Sequence, residues 1–571
     1  MTLKKLTLPE LLKNSCSKFS KNLSLNFVAS GKKTYQDLYN EVVSIANHLL
    51  HLGVKKGDKV AILSANMPNW GITQFAIANI GAIAVPVLPG FCSTELQNIL
   101  EHAEVKVIFV SRLLAKCLEG VKTPFLKHKI LINNFSTIPE GCYQPEDLDK
   151  LVPDISLNNT TPLPEVSIEE EDIASIIYTS GTTGFSKGVV LTHKNLVWDA
   201  RQCHTIQPVD ETYRFLSILP MAHTYENTLG LLLPLMYGAQ VYYLDRVPTP
   251  KLLVPAMQKI RPTVVLSVPL IIEKIYKSQV LPKFTGSKWM SKLYQFAPAR
   301  KLFNRLAGKK LMETFGGELK FFGIGGSKLD GTVEQFLREA KFPYAIGYGL
   351  TETAPMAAGS NPSQTFLQGV GPVMEGVQIK INDPDNSGQG EIWIKGPNVM
   401  KGYYKRPELT AETFTEDGWF KTGDLGSFDK KNRLAIRGRI KTMILGASGE
   451  NIYPEEIESI INNFRFVNES LVVENSGKLV AMVHFNMEEL EKQYQRLKDQ
   501  AGNYKEKIND YIEEQKQELR DYVNARVNNF SKLQLVLVQH EPFEKTPTHK
   551  IKRFLYCKEN KKSGVSNKSV F

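Results

Sequence analysis

Clustered cysteine is missing from this chain. The six cysteines, at positions 16, 92, 117, 142, 203 and 557, form no CxxC pair and no grouping with histidine, which excludes the common zinc spacings and a disulfide scaffold. This usage suits a reducing cytosol, so a cytoplasmic location is expected. The N-terminus, MTLKKLTLPELLKN, gains charge after a few residues and has no apolar run leading to a small-residue cleavage site, so no signal peptide is read there. Unbroken apolar runs of membrane-spanning length are also lacking. Trp70–Cys92 and Leu229–Leu244 come nearest, but Gly and Pro interrupt both and the first also holds Gln74 and Asn79. Each is expected to be buried helix plus strand.

Size and positive charge are present in quantity. A chain of 571 residues exceeds what one hydrophobic core serves, so two or more domains are expected. Hydrophobic residues at 42% and charged residues at 23% are proportions of a globular protein and exclude disordered or collagen-like classes. The formal net charge of +11 favours an anionic partner: nucleotide, coenzyme A, an acidic carrier protein or lipid headgroups. From about residue 25 to 440, short apolar runs such as Lys59-Val-Ala-Ile-Leu63, Val105-Lys-Val-Ile-Phe109, Thr263-Val-Val-Leu-Ser267 and Lys320-Phe-Phe-Gly-Ile324 alternate with helix-like segments. That alternation predicts parallel sheets covered by helices. Beyond about residue 370 the pattern turns β-rich, and a boundary is read near Arg437-Gly-Arg439. A charged helical stretch, Met487 to Phe530, then carries apolar residues at 490, 494, 497, 501, 504, 508 and 511. Such a face belongs to a helix packed on its own domain and broken near Gly502-Asn503, or to a self-association seam.

The sharpest chemical signal is Tyr178-Thr-Ser-Gly-Thr-Thr-Gly-Phe-Ser-Lys-Gly188, set between the apolar runs Ile173–Ile177 and Val189–Leu191. Its glycines let backbone N–H groups point at an anion, Thr179, Ser180, Thr182 and Thr183 supply hydroxyls beside Gly181, and Lys187 supplies a cation, so a phosphate cradle is expected. It is not a Walker A loop, because Ser186 precedes the lysine and Gly188 follows it. Further blocks are Leu219-Pro-Met-Ala-His223, Gly323-Ile-Gly-Gly-Ser327, Gly347-Tyr-Gly-Leu-Thr-Glu-Thr353, Gly418-Trp-Phe-Lys-Thr-Gly-Asp-Leu425, Arg437-Gly-Arg-Ile-Lys441 and Thr546-Pro-Thr-His-Lys-Ile-Lys-Arg553.

In this order, over about residues 30 to 555, the blocks resemble the adenylate-forming (AMP-binding) superfamily of acyl-CoA synthetases, peptide-synthetase adenylation domains and firefly luciferase. Within it the likeness is to long-chain fatty acid–CoA ligases. The resemblance implies an α/β fold: a large N-terminal domain, 1–438, of parallel sheets covered by helices plus a distorted β-barrel region, and a small mobile α+β C-terminal domain, 439–557. A basic tail, 558–571, is expected to be disordered. The implied reaction joins a fatty acid to AMP from ATP with Mg²⁺, then passes the acyl group to the thiol of coenzyme A. Acyl carrier protein remains an alternative acceptor, as does a catalytically silent homologue, and no nucleic-acid partner is expected.

By the same resemblance, Tyr348 stacks on adenine beside Gly349, Thr351 meets the α-phosphate and Glu352 ligates Mg²⁺. Gly325, Gly326 and Ser327 pass along the base, Asp424 takes the ribose hydroxyls with Arg439 as its partner, and His223 lies beside the substrate carboxylate. Lys550 neutralises charge as that carboxylate attacks the α-phosphate; the family commonly has Gly before this lysine, where His549 stands here. Lys441 is the implied hinge, and Gly446 and Gly449 line the thiol tunnel. Finally, Lys274–Met312 holds ten Lys and Arg and no Asp or Glu, interleaved with Phe284, Trp289, Tyr294, Phe296 and Phe303. This reads as a solvated helical excursion with packed aromatics, as a dock for an acidic carrier protein, or as peripheral contact with anionic lipid on the inner membrane face.

Overall fold

The computed structural model describes residues 3–91, 93–157, 161–179, 186–285, 287–445, 451–475, 477–497, 504–546 and 550–557. The chain divides into two compact units: Met1–Asn382, Trp393–Thr422 and Phe428–Ala435 form the first, and Asp383–Ile392, Gly423–Ser427 and Ile436–Phe571 form the second.

In the first unit, apolar runs lacking polar alternation become strands buried on both faces, the condition that helix-covered parallel sheets impose. An eight-stranded sheet runs in the order Gly402–Tyr403, Lys187–Thr192, Ile173–Thr179, Ile83–Val87, Lys59–Leu63, Val105–Val110, His128–Leu131, Ser136–Thr137. Its central five strands are parallel. A seven-stranded sheet runs Leu25–Phe27, Gln240–Tyr243, Arg214–Ser217, Val264–Ser267, Phe321–Ile324, Tyr344–Gly349, Met356–Gly359, with only the last strand antiparallel. The β-rich region is a five-stranded sheet ordered Gly371–Pro372, Arg433–Arg439, Phe420–Phe428, Gly390–Lys395, Gln378–Asn382.

Trp70–Cys92 resolves into the helix Pro68–Asn79 and the strand Ile83–Val87. The helix is buried nearly all round, which is why it lacks an amphipathic pattern. Leu229–Leu244 supplies part of a π-helical stretch, Glu226–Leu232, and the strand Gln240–Tyr243. Among the described residues no helix is long and apolar enough to cross a membrane. The helix His193–Ile206 starts directly after a sheet strand, fixed by a reciprocal capping box between Thr192 and Asn195.

The second unit is built on the strands Val467–Asn475, Lys478–Phe485 and Leu535–Val538, packed against the helix Pro454–Asn462 and the helices Met487–Leu497 and Tyr504–Asn524. Leu490 packs into this core as the stripe required. In the longer helix Tyr511, the last residue of the stripe, packs against the same core, and among the described side chains Gln515, Leu519 and Val523 are buried further along; the side chains at 494, 497, 501, 504 and 508 lie outside those described. Gly502-Asn503 lies outside the described residues.

The excursion 274–312 differs in part from its sequence reading. Phe284 stacks on Tyr294 and Phe303, with ring centroids 4.9 and 5.7 Å apart, and packs against the core under the seven-stranded sheet. These three rings are half-buried against one another, whereas Trp289 and Phe296 are exposed.

Candidate active site

Thr179 ends one strand and lies opposite Lys187, which begins the antiparallel neighbour. The phosphate-loop residues Ser180, Gly181, Thr182 and Thr183 lie outside the described residues. Lys187 places its Nζ 5.2 Å over the ring of Tyr403, whose strand pairs with that of the lysine. The Tyr403 hydroxyl donates to Glu352 Oε1 at 2.9 Å. One buried tyrosine therefore joins Lys187, the lysine of the expected phosphate cradle, to the implied magnesium ligand, a link that Gly402-Tyr-Tyr404 did not announce in sequence.

Glu352 sits in a single 3₁₀ turn, Thr351–Thr353, held from several directions. Leu350 N donates to Thr353 Oγ1 at 2.9 Å, and that hydroxyl donates to Pro355 O at 2.6 Å. Asn398 Nδ2 donates to Thr353 O at 3.0 Å, Met400 N to Glu352 O at 2.8 Å, and Thr228 Oγ1 to Ala354 O at 2.8 Å. Gly349 is required by space, since a Cβ there would fall 1.7 Å from Pro355 O. Tyr348 is buried and Thr351 half-buried. The turn after Phe321–Ile324 carries Gly325, whose N–H donates to Ser267 O at 3.2 Å, Gly326 at φ +90°, and exposed Ser327.

Among the described residues no group of three or more His, Cys, Asp or Glu gathers to hold a metal. A lone carboxylate such as Glu352 still fits Mg²⁺, which typically takes one or two carboxylates and completes its shell with substrate phosphates and water.

His223 closes a turn stiffened by groups the sequence did not single out. Its Nδ1 accepts from Tyr225 N at 3.2 Å, which leaves the proton of the neutral ring on Nε2. Asn66 Nδ2 donates to Leu219 O at 2.6 Å and to Ser217 Oγ at 3.0 Å, and Asn66 Oδ1 accepts from Met221 N at 3.0 Å. Ser217 Oγ in turn donates to Glu226. Burial pushes the Glu226 carboxyl up to about 8, so it is protonated at neutral pH.

Beside this turn lies a narrow cavity of about 40 Å³ with an almost wholly apolar lining. Gly347 and Ile324 line it toward the C-terminal ends of parallel strands and Met356 at the start of the antiparallel one; Phe215, Val264 and Phe321 line it near the starts of parallel strands, with Ile206, Gln207 and Val209 beyond. Gly323 lets the wall close up tightly, because a Cβ there would meet the Tyr225 hydroxyl at 2.8 Å and Leu266 Cδ2 at 3.0 Å.

In the second unit Arg439 Nε pairs with buried Asp424 Oδ1 at 2.9 Å, joining two residues that the resemblance had associated. Lys441 is exposed on the 3₁₀ turn Ile440–Thr442. Lys550 is exposed and tied to Thr546: its N donates to Thr546 Oγ1 at 3.2 Å and its O accepts from Thr546 N at 2.8 Å. His549, Gly446 and Gly449 lie outside the described residues.

Residues 12–404 match the family model described as AMP-binding enzyme. The chain is 30% identical over 496 residues to the long-chain-fatty-acid–CoA ligase heimdall of Drosophila melanogaster, covering 80% of this chain and 72% of that protein. It is 28% identical over 542 residues to the chloroplastic long-chain-fatty-acid–[acyl-carrier-protein] ligase AEE15 of Arabidopsis thaliana, covering 81% and 73%. In fold it is similar to ATP-bound MatB from Rhodopseudomonas palustris, with a TM-score of 0.73, 22% identity, and 96% and 98% of the two chains covered. The chain therefore belongs to the AMP-binding enzyme family and is an adenylate-forming ligase.

Proposed function

We propose that this enzyme activates a long-chain fatty acid to acyl-AMP with MgATP, releasing pyrophosphate, and transfers the acyl group to the thiol of coenzyme A, releasing AMP. The apolar cavity beside the His223 turn carries this reading, since an alkyl chain is the substrate part that gains from leaving water for such a lining. A carboxylate repels nucleophiles, and the mixed anhydride with AMP removes that charge before the thiol attacks. In this reading His223, with its proton on Nε2, orients the acid, Glu352 holds Mg²⁺ against the phosphates, and Lys187 and Lys550 offset the anionic charge that builds at the α-phosphate. Asp424 takes the ribose with Arg439, and Tyr348, Gly325 and Gly326 flank the base.

Holo-acyl carrier protein is a second acceptor to test, because it presents the same pantetheine thiol and the plant relative is named for it. Pyrophosphate release from ATP is measured with acetate, octanoate and palmitate, and then with coenzyme A or holo-carrier protein as acceptor. Palmitate with coenzyme A is expected to give the highest turnover. Release that is greatest with acetate would overturn the substrate reading, and turnover restricted to the carrier protein would replace the acceptor.

A further inference from the structure

We propose that the helical excursion 274–312 is a docking surface for an anionic lipid bilayer. Its cations are not all equal. Arg300 turns inward onto Glu339, with NH2 2.8 Å from Oε1, and Lys277 is half-buried beside Glu273 and Asp330. Lys274, Lys283, Lys292, Lys301, Arg305, Lys309 and Lys310 are exposed, and no Asp or Glu lies within the segment to neutralise them.

The excursion also exposes large apolar side chains. Trp289 is 72% exposed and Phe296 62%; with Lys292 they stand at i, i+3 and i+7 along and just past the helix Lys288–Gln295. On the following helix, Ala297–Thr314, Leu302 is 58% exposed and Leu306 61%, one turn apart, with Arg305 and Lys309 on the same side. The opposite side of that helix buries Asn304, Gly308 and Leu311. The second helix is thus fastened to its unit by one side and presents leucines among cations on the other, and the first adds exposed Trp289 and Phe296 beside Lys292.

Charge complementarity fixes the sign of the partner, and the apolar groups choose its class. A polyanion of nucleic acid offers phosphates but no medium for leucine. A bilayer offers both, with anionic headgroups for the cations and an acyl boundary for Trp289, Phe296, Leu302 and Leu306. The contact is a property of this surface alone; its use, to meet fatty acids where they partition, rests on the substrate reading above.

The test is sedimentation of the full chain with vesicles of phosphatidylcholine alone and of phosphatidylcholine mixed with phosphatidylglycerol. Binding is expected only to the mixed vesicles and is expected to weaken as salt rises. Two variants divide the surface: Lys292→Glu with Lys301→Glu, Arg305→Glu and Lys309→Glu, and Trp289→Ser with Phe296→Ser, Leu302→Ser and Leu306→Ser. Each is expected to lower vesicle binding at least about tenfold, while both keep wild-type turnover on detergent-dispersed fatty acid. Wild-type protein that ignores mixed vesicles at low salt would overturn the proposal. So would a serine variant that binds as tightly as wild type, or a charge-reversed variant that keeps vesicle binding and loses only carrier-protein-dependent turnover. Protein that binds the mixed vesicles yet activates no fatty acid would sink the substrate reading and leave the docking surface standing.

Discussion

Glu226 keeps a proton at neutral pH because its carboxyl is enclosed, and that proton links folding to pH. Its folded value of about 8 lies above the ordinary 4.5, so between those limits the folded chain retains a proton that the unfolded chain has lost. The stabilisation is therefore full below about pH 4.5 and is lost as pH rises through about 8. Thermal unfolding from about pH 5 to pH 8.5 should show wild type losing several degrees more than Glu226→Gln, whose amide does not titrate. Equal slopes would remove Glu226 from this account. Gly349→Ala gives a second check: with Pro355 O 1.7 Å from the added carbon, chemical denaturation should register a loss of about 3 kcal/mol. Glu352, Asp424 and Lys550 could be singled out in sequence because each stands in a motif whose neighbours mark it, and the pairing of Asp424 with Arg439 is the part of that reading that the structure contains. Glu226, Asn66 and Tyr403 could not be, since their importance comes from partners far along the chain, as when Tyr403 reaches Glu352.

Among the elements, legibility followed the local pattern. Lys59–Leu63 and Val105–Val110 could be read as strands because an unbroken apolar run suits a strand covered on both faces. Thr263 was read into its strand one residue early, whereas the element begins at Val264. The stacking of Phe284 on Tyr294 and Phe303 was not legible, because aromatics at irregular spacing do not reveal which of them turn inward. The cavity was invisible as well, being assembled from several strands and the end of the helix His193–Ile206. Its lining sets a prediction. Gly323→Val places two methyl groups against Tyr225 and Leu266, and kcat/KM for palmitate relative to octanoate should fall about tenfold or more. An unchanged ratio would show that the alkyl chain lies elsewhere.

On the scale of the whole molecule, the residues to which the proposed reaction assigns roles fall in two units, Glu352 and His223 in one, Asp424, Arg439 and Lys550 in the other. If Lys550 serves adenylation alone, Lys550→Ala should lose roughly a hundredfold or more of ATP–pyrophosphate exchange and still convert supplied acyl-adenylate to thioester. Equal loss of both activities would end that division. Lys441→Pro, which fixes one backbone angle at the implied hinge, should slow thioester formation and spare exchange. The exposed face of 274–312 carries a consequence for rate laws. An enzyme held on a bilayer through Trp289, Phe296 and its exposed cations meets its acid in two dimensions, so turnover should follow the mole fraction of fatty acid in the surface. Adding inert phospholipid at constant total fatty acid would then slow the docked enzyme by surface dilution, even though nothing in bulk solution had changed.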